Sequence, residues 1–98
     1  MTRYVMRARM TTGQRPAPTD EQRNKFVATI EESYNRYFGL PNVEWENDRQ
    51  ALVLLRVEAP DRQLAENSVK DSIRRKAEKA AAIDVQDVEI VEVTVGDE

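Results

Sequence analysis

Histidine and cysteine are both absent from this chain of 98 residues. Without cysteine there can be no disulfide, no thiolate nucleophile and no zinc–cysteine site, a composition in keeping with a reducing compartment. Without histidine the commonest general base near neutral pH and the commonest transition-metal ligand are missing. Any catalysis would fall to Asp, Glu, Lys, Tyr, Ser, Thr or Arg, so the composition leans away from an enzyme and implies neither cofactor nor metal. Long apolar runs are missing too, none approaching the ~20 residues of a membrane-spanning helix. Residues 1 to 15 carry no apolar core or small-residue cleavage site of a signal peptide. The expectation is a cytoplasmic protein without a membrane partner, forming one α+β domain over residues 1–98. A chain this short buries only roughly 60 to 65% of its unfolded surface, so association would add stability.

Charge is plentiful but segregated. Fifteen basic and 18 acidic residues leave a net charge of −3, which offers no general attraction to nucleic acid or anionic lipid. Arg3, Arg7, Arg9 and Arg15 are the only charged side chains in residues 1 to 15. In the last fifteen residues Asp84, Asp87, Glu89, Glu92, Asp97 and Glu98 have no basic counterpart.

Periodicity divides the chain into six elements. Residues 3 to 10 alternate as a strand, with Tyr4, Met6, Ala8 and Met10 on one face and Val5, Arg7 and Arg9 on the other. Gly13, Pro16 and Pro18 make the next stretch a loop. Thr19 and Gln22 fit a capping box, and Asp20 and Glu21 suit the positive end of a helix. The stripe Phe26, Val27, Ile30, Tyr34, Tyr37 and Phe38 extends this helix to a stop at Gly39. Val43 and Trp45 alternate with Glu44 and Glu46, Asn47-Asp48 turns the chain, and residues 51 to 58 form the second strand of a hairpin. Pro60 and Asp61 open a second helix whose inward stripe is Leu64, Ala65, Val69, Ile73, Ala77 and Ala80. A last strand covers roughly residues 87 to 95.

The order strand, helix, strand, strand, helix, strand resembles the ferredoxin-like split β-α-β sandwich, in which two helices cover one face of a four-stranded antiparallel sheet. The resemblance concerns fold alone and implies a strand order of 4-1-3-2. Charge supports that order: the basic first strand would lie beside the acidic fourth, pairing Arg7 and Arg9 with Glu89 or Glu92, while Arg56 would meet Glu44 or Glu46 on the other flank. The fourth strand is out of phase, with Val88 and Ile90 on one face and Val91, Val93 and Val95 on the other. A bulge would reconcile them. Without one, some of these residues join Val5, Leu52 and Leu54 on the open face, bordered by Arg7, Arg56 and Glu58.

Leu52-Val53-Leu54-Leu55 is the most telling segment, because it is apolar on both faces of a sheet that two helices can cover on one side only. The face bearing Val5, Arg7, Leu52, Leu54 and Arg56 is therefore expected to meet a second copy of the chain or another protein. A non-catalytic protein of binding or assembly, forming a homodimer through this face, is the leading expectation. RNA-recognition modules place stacking aromatics on the first and third strands of such a face; here those positions hold no aromatic, so a nucleic-acid adaptor using the N-terminal arginines ranks lower. A dimeric α+β barrel enclosing a ligand is a further alternative. Acylphosphatases share the coarse fold and bind phosphate after the first strand, and Arg9, Thr12 and Arg15 are candidates for such an anion site, although Pro16 and Pro18 remove two amide donors. The pairs Glu31-Glu32 and Asp97-Glu98 lack the spacing of a calcium loop. Arg74, Arg75, Lys76 and Lys79 suit the negative end of a helix.

Overall fold

A computed structural model of the protein describes residues 1–13 and 16–95. It is a small α+β sandwich-like fold in which β1 (Thr2–Thr12), α1 (Asp20–Ser33), β2 (Val43–Trp45), β3 (Gln50–Ala59), α2 (Arg62–Arg75) and β4 (Val85–Val95) follow in order. The four strands form one antiparallel sheet ordered β2-β3-β1-β4. Among the described residues no helix is long and apolar enough to cross a membrane.

Strand alternation places the core. Tyr4, Met6, Ala8 and Met10 of β1 oppose Val57, Leu55, Val53 and Ala51 of β3, and these inner-face residues join Phe26 and Ile30 of α1 and Ala65, Val69 and Ile73 of α2 in one apolar cluster. Phe26, Met6, Met10, Ile30, Leu55 and Ile73 lose all solvent contact, each such side chain contributing about 1.5 to 3 kcal/mol by burial. Phe26 also meets Trp45 edge to face, with centroids 6.1 Å apart.

Both helices start on side-chain caps. Thr19 accepts from the Gln22 amide while the Gln22 side chain accepts from the Thr19 amide, and Asp61 accepts from the Leu64 amide. The first helix is shorter than its aromatic stripe predicts: it ends at Ser33, and Tyr34 turns extended with its hydroxyl 2.7 Å from Ser72 Oγ on α2. Tyr37 and Phe38 therefore belong to the connection to β2. Leu64 also departs from expectation, being exposed, because the buried positions Ala65, Val69, Ser72, Ile73 and Ala77 define a stripe one residue away. After Arg75 the helix loosens into a π-helical turn, Lys76–Ala80.

The phase conflict of β4 is resolved by two bulges. Arg7 pairs with Glu92 but Ala8 with Ile90, leaving Val91 unopposed; Thr11 pairs with Asp87 but Thr12 with Val85, leaving Gln86 unopposed. Each extra residue resets the alternation, so Val85, Val88, Ile90, Val93 and Val95 all oppose inner-face residues of β1. The outer face receives Asp87, Glu89, Glu92 and Thr94 instead. None of these five apolar residues of β4 widens the apolar band there.

Candidate functional site

The outer face, away from the helices, carries the residues singled out from the sequence. Register places Val5 opposite Arg56, Arg7 opposite Leu54 and Arg9 opposite Leu52, so Val5, Arg7, Leu52, Leu54 and Arg56 lie side by side on β1 and β3. Glu44 of β2 opposes Leu52 from the other flank.

Two of these residues are already covered. Val5 is 6% and Leu54 8% exposed, because the connection between α1 and β2 folds over the sheet. Tyr37 and Leu40 line a cleft of about 170 Å³ with Val5, Arg7, Leu54, Glu92 and Thr94. Leu40 and Pro41 line a second, of about 110 Å³, with Arg7, Glu44, Leu52 and Leu54. The bare two-leucine face expected from the sequence is thus partly occupied by the chain's own loop. Buried Asn42 anchors that loop, donating from Nδ2 to the carbonyls of Leu54 at 2.9 Å and Asn35 at 3.4 Å while its own carbonyl accepts from the Leu54 amide at 2.7 Å.

The loop covers the sheet but exposes apolar groups of its own. Leu40 is 46% exposed and Phe38 84%, its ring stacked edge-on against Tyr37 with centroids 4.5 Å apart. Phe38 has φ 52 and Gly39 φ 74. Glycine takes this left-handed backbone freely, whereas phenylalanine pays about 1 to 2 kcal/mol for it. Phe38 is thus a strained aromatic held in water. These loop residues escaped the sequence reading because Tyr34, Tyr37 and Phe38 fit a helical stripe; Pro41, which disfavours helix at Leu40, was the available signal.

Charges around the clefts are largely paired within the sheet. Arg9 grips Glu46 through Nε at 2.8 Å and Nη2 at 3.3 Å and reaches Glu89 at 4.0 Å. Arg7 lies 3.7 Å from Glu92, and Arg3 Nε donates to Glu58 at 2.7 Å. The expected pairing of β1 with β4 is present, whereas Glu46 turns to Arg9 and Arg56 makes no ion pair within 4.0 Å among the described residues. The hydrogen bond from Arg9 and then its positive charge hold the Glu46 carboxyl below its ordinary range, and Glu46 in turn raises Arg9. Arg3 lowers Glu58 in the same way, with smaller help from the N-terminus and Arg56.

Of the anion-site candidates, Arg9 and Thr12 are not brought together. Arg9 points to the outer face, whereas Thr12 follows the inner-face alternation and is buried, and Arg15 lies outside the described residues. Thr12 lines a cleft of about 200 Å³ with Pro16, Pro18, Gln22, Ala82, Ile83 and Asp84. The acidic Asp84 packs over Gly13, where a Cβ would run into its carboxylate. That negative group disfavours a second anion. Among the described residues no three or more acidic side chains gather as a metal site requires, and Asp97-Glu98 lie outside them. The basic end of α2 is occupied by local partners: Arg74 donates to the Val85 carbonyl at 3.0 Å and Arg75 lies 3.4 Å from Asp71.

Fold and surface together define a small α+β domain with a partly apolar, charge-rimmed sheet face. No protein family, curated protein or solved structure matches the chain.

Proposed function

We propose that this protein is a non-catalytic assembly module of the ferredoxin-like βαββαβ type, working through the outer face of its sheet. The observation that carries the reading is Phe38: a large aromatic, 84% exposed in a left-handed backbone, beside clefts floored by Leu52 and Leu54. Burying Phe38 and Leu40 against a partner would recover apolar surface that the isolated chain leaves in water. The mixed rim of Arg7, Glu44, Arg56 and Glu92 suits a protein surface better than a polyanion. Arg7 and Arg9, which a nucleic-acid adaptor would need, are engaged by carboxylates of the same sheet.

Site-specific photocrosslinking tests the surface without assuming its occupant. A photoreactive side chain replaces Leu40 on the outer face or, as control, the similarly exposed Leu64 on α2, in the cells that make the protein. A discrete adduct from position 40 and none from position 64 is expected. Equal adducts from both positions, or none from position 40, would reject the outer face as the working surface.

A further inference from the structure

We propose that the occupant of this face is a second copy of the chain, related by a two-fold axis passing beside Leu54, with Glu44 of each copy paired to the partner's Arg56. The inference rests on the outer face being the working surface and names what covers it.

Charge complementarity carries it. Arg3, Arg7 and Arg9 each have a carboxylate within their own sheet, whereas Glu44 and Arg56, the charges flanking the two leucines, have no ion-pair partner within 4.0 Å among the described residues. They are opposite in sign and both exposed. Their positions follow from register. Glu44 sits beside Leu52 on the neighbouring strand, and Arg56 lies four residues further along β3. With about 3.3 Å per residue along a strand and about 4.8 Å between strands, they are roughly 14 Å apart and Leu54 stands within about 3 Å of the midpoint.

A two-fold operation that exchanges these positions consequently has its axis beside Leu54, lying in the plane between the two faces. One operation makes two ion pairs, each Glu44 meeting the partner's Arg56. Leu40 lines both clefts together with Leu54, so it lies close to the axis and meets the apolar surface of the other copy there. Phe38, held out by the left-handed pair Phe38-Gly39, then has a neighbour other than water. The interface is isologous, with an apolar centre and a charged rim.

Charge reversal tests the arrangement, with solution mass by light scattering as the readout and circular dichroism to verify folding. Glu44→Arg places two like-charged pairs across the axis, as does Arg56→Glu, and each is expected to weaken the homodimer at least about tenfold. Mixing these two variants restores opposite charges at both contacts, and so does the double variant Glu44→Arg/Arg56→Glu. Recovery of the dimer in the mixture and in the double variant is the expected result. A wild type that remains monomeric at millimolar concentration overturns the second copy while leaving the crosslinking test of the outer face unaffected. A dimer lost on Leu40→Asp but indifferent to charge reversal overturns the axis and the Glu44–Arg56 pair. A dimer indifferent to Leu40→Asp as well overturns the use of the outer face for self-association.

Discussion

Leu52 and Leu54 are two residues apart on one face of one strand, yet their truncation should have very different consequences. Leu54 is 8% exposed beneath the α1–β2 connection, so Leu54→Ala removes buried methyl groups and opens a space under Tyr37 and Leu40. The expected loss is about 2 to 4 kcal/mol, a large part of the about 5 to 15 kcal/mol that holds a domain of this size together. It corresponds to a melting temperature lower by roughly 10 to 30 °C. Leu52 is only partly buried, and Leu52→Ala should cost under about 1 kcal/mol in the monomer. Urea unfolding at low micromolar concentration, followed by far-ultraviolet circular dichroism and by the fluorescence of Trp45, measures both. Repeating the titration at high concentration separates the roles further, because a partner that binds only the folded chain adds a concentration-dependent term that Leu52→Ala weakens. Equal losses for the two variants at low concentration would show that the loop does not cover Leu54 and would refute the reasoning.

Two further outcomes follow from the same surface. The Glu46 and Glu58 carboxyls titrate below the ordinary 4.5 in the folded chain because Arg9 and Arg3 hold their charged forms; their contribution is present above the unfolded value and lost as pH falls through the lowered folded values, so the urea midpoint should drop below pH 4.5 and Arg9→Gln should flatten that drop. Asn42→Ala removes the donor to the Leu54 and Asn35 carbonyls and should cost about 1 to 3 kcal/mol, with faster amide exchange across residues 35 to 42 as the sign that the loop has come loose.

Much of this arrangement could be read from residue order because it depends on strand alternation. Tyr4, Met6, Ala8 and Met10 face the helices as their parity demands, and the opposite charges of β1 and β4 meet at Arg7–Glu92 and Arg9–Glu89. The capping box at Thr19 is local and equally legible. What escaped were choices made by tertiary contact. Tyr34, Tyr37 and Phe38 satisfy a helical period, but Tyr34 turns its hydroxyl toward Ser72 and Tyr37 crosses to the outer face. The need to cover Val5 and Leu54 competes with helix propensity there, and no window of sequence contains both parties. The bulges of β4 were legible only as a conflict of phase: the valines showed that alternation must break, while the pairing with β1 chose Val91 and Gln86 as the breaks. Arg9 and Thr12 part for a simpler reason, since an odd and an even position on one strand cannot share a face.

Those bulges bear on how the protein behaves in crowded solution. β4 is an edge strand of eleven residues, long enough to recruit the edge of a neighbouring molecule and begin a growing stack of sheets. Gln86 and Val91 cut that template into stretches of four residues, 87–90 and 92–95, and Asp87, Glu89 and Glu92 line it with negative charge. Geometry guards the edge in any solution, but the electrostatic guard is screened by salt. High ionic strength therefore weakens one of two barriers to edge-to-edge polymerisation without needing to unfold the chain, and storage in concentrated salt is where slow precipitation of an otherwise folded protein should begin.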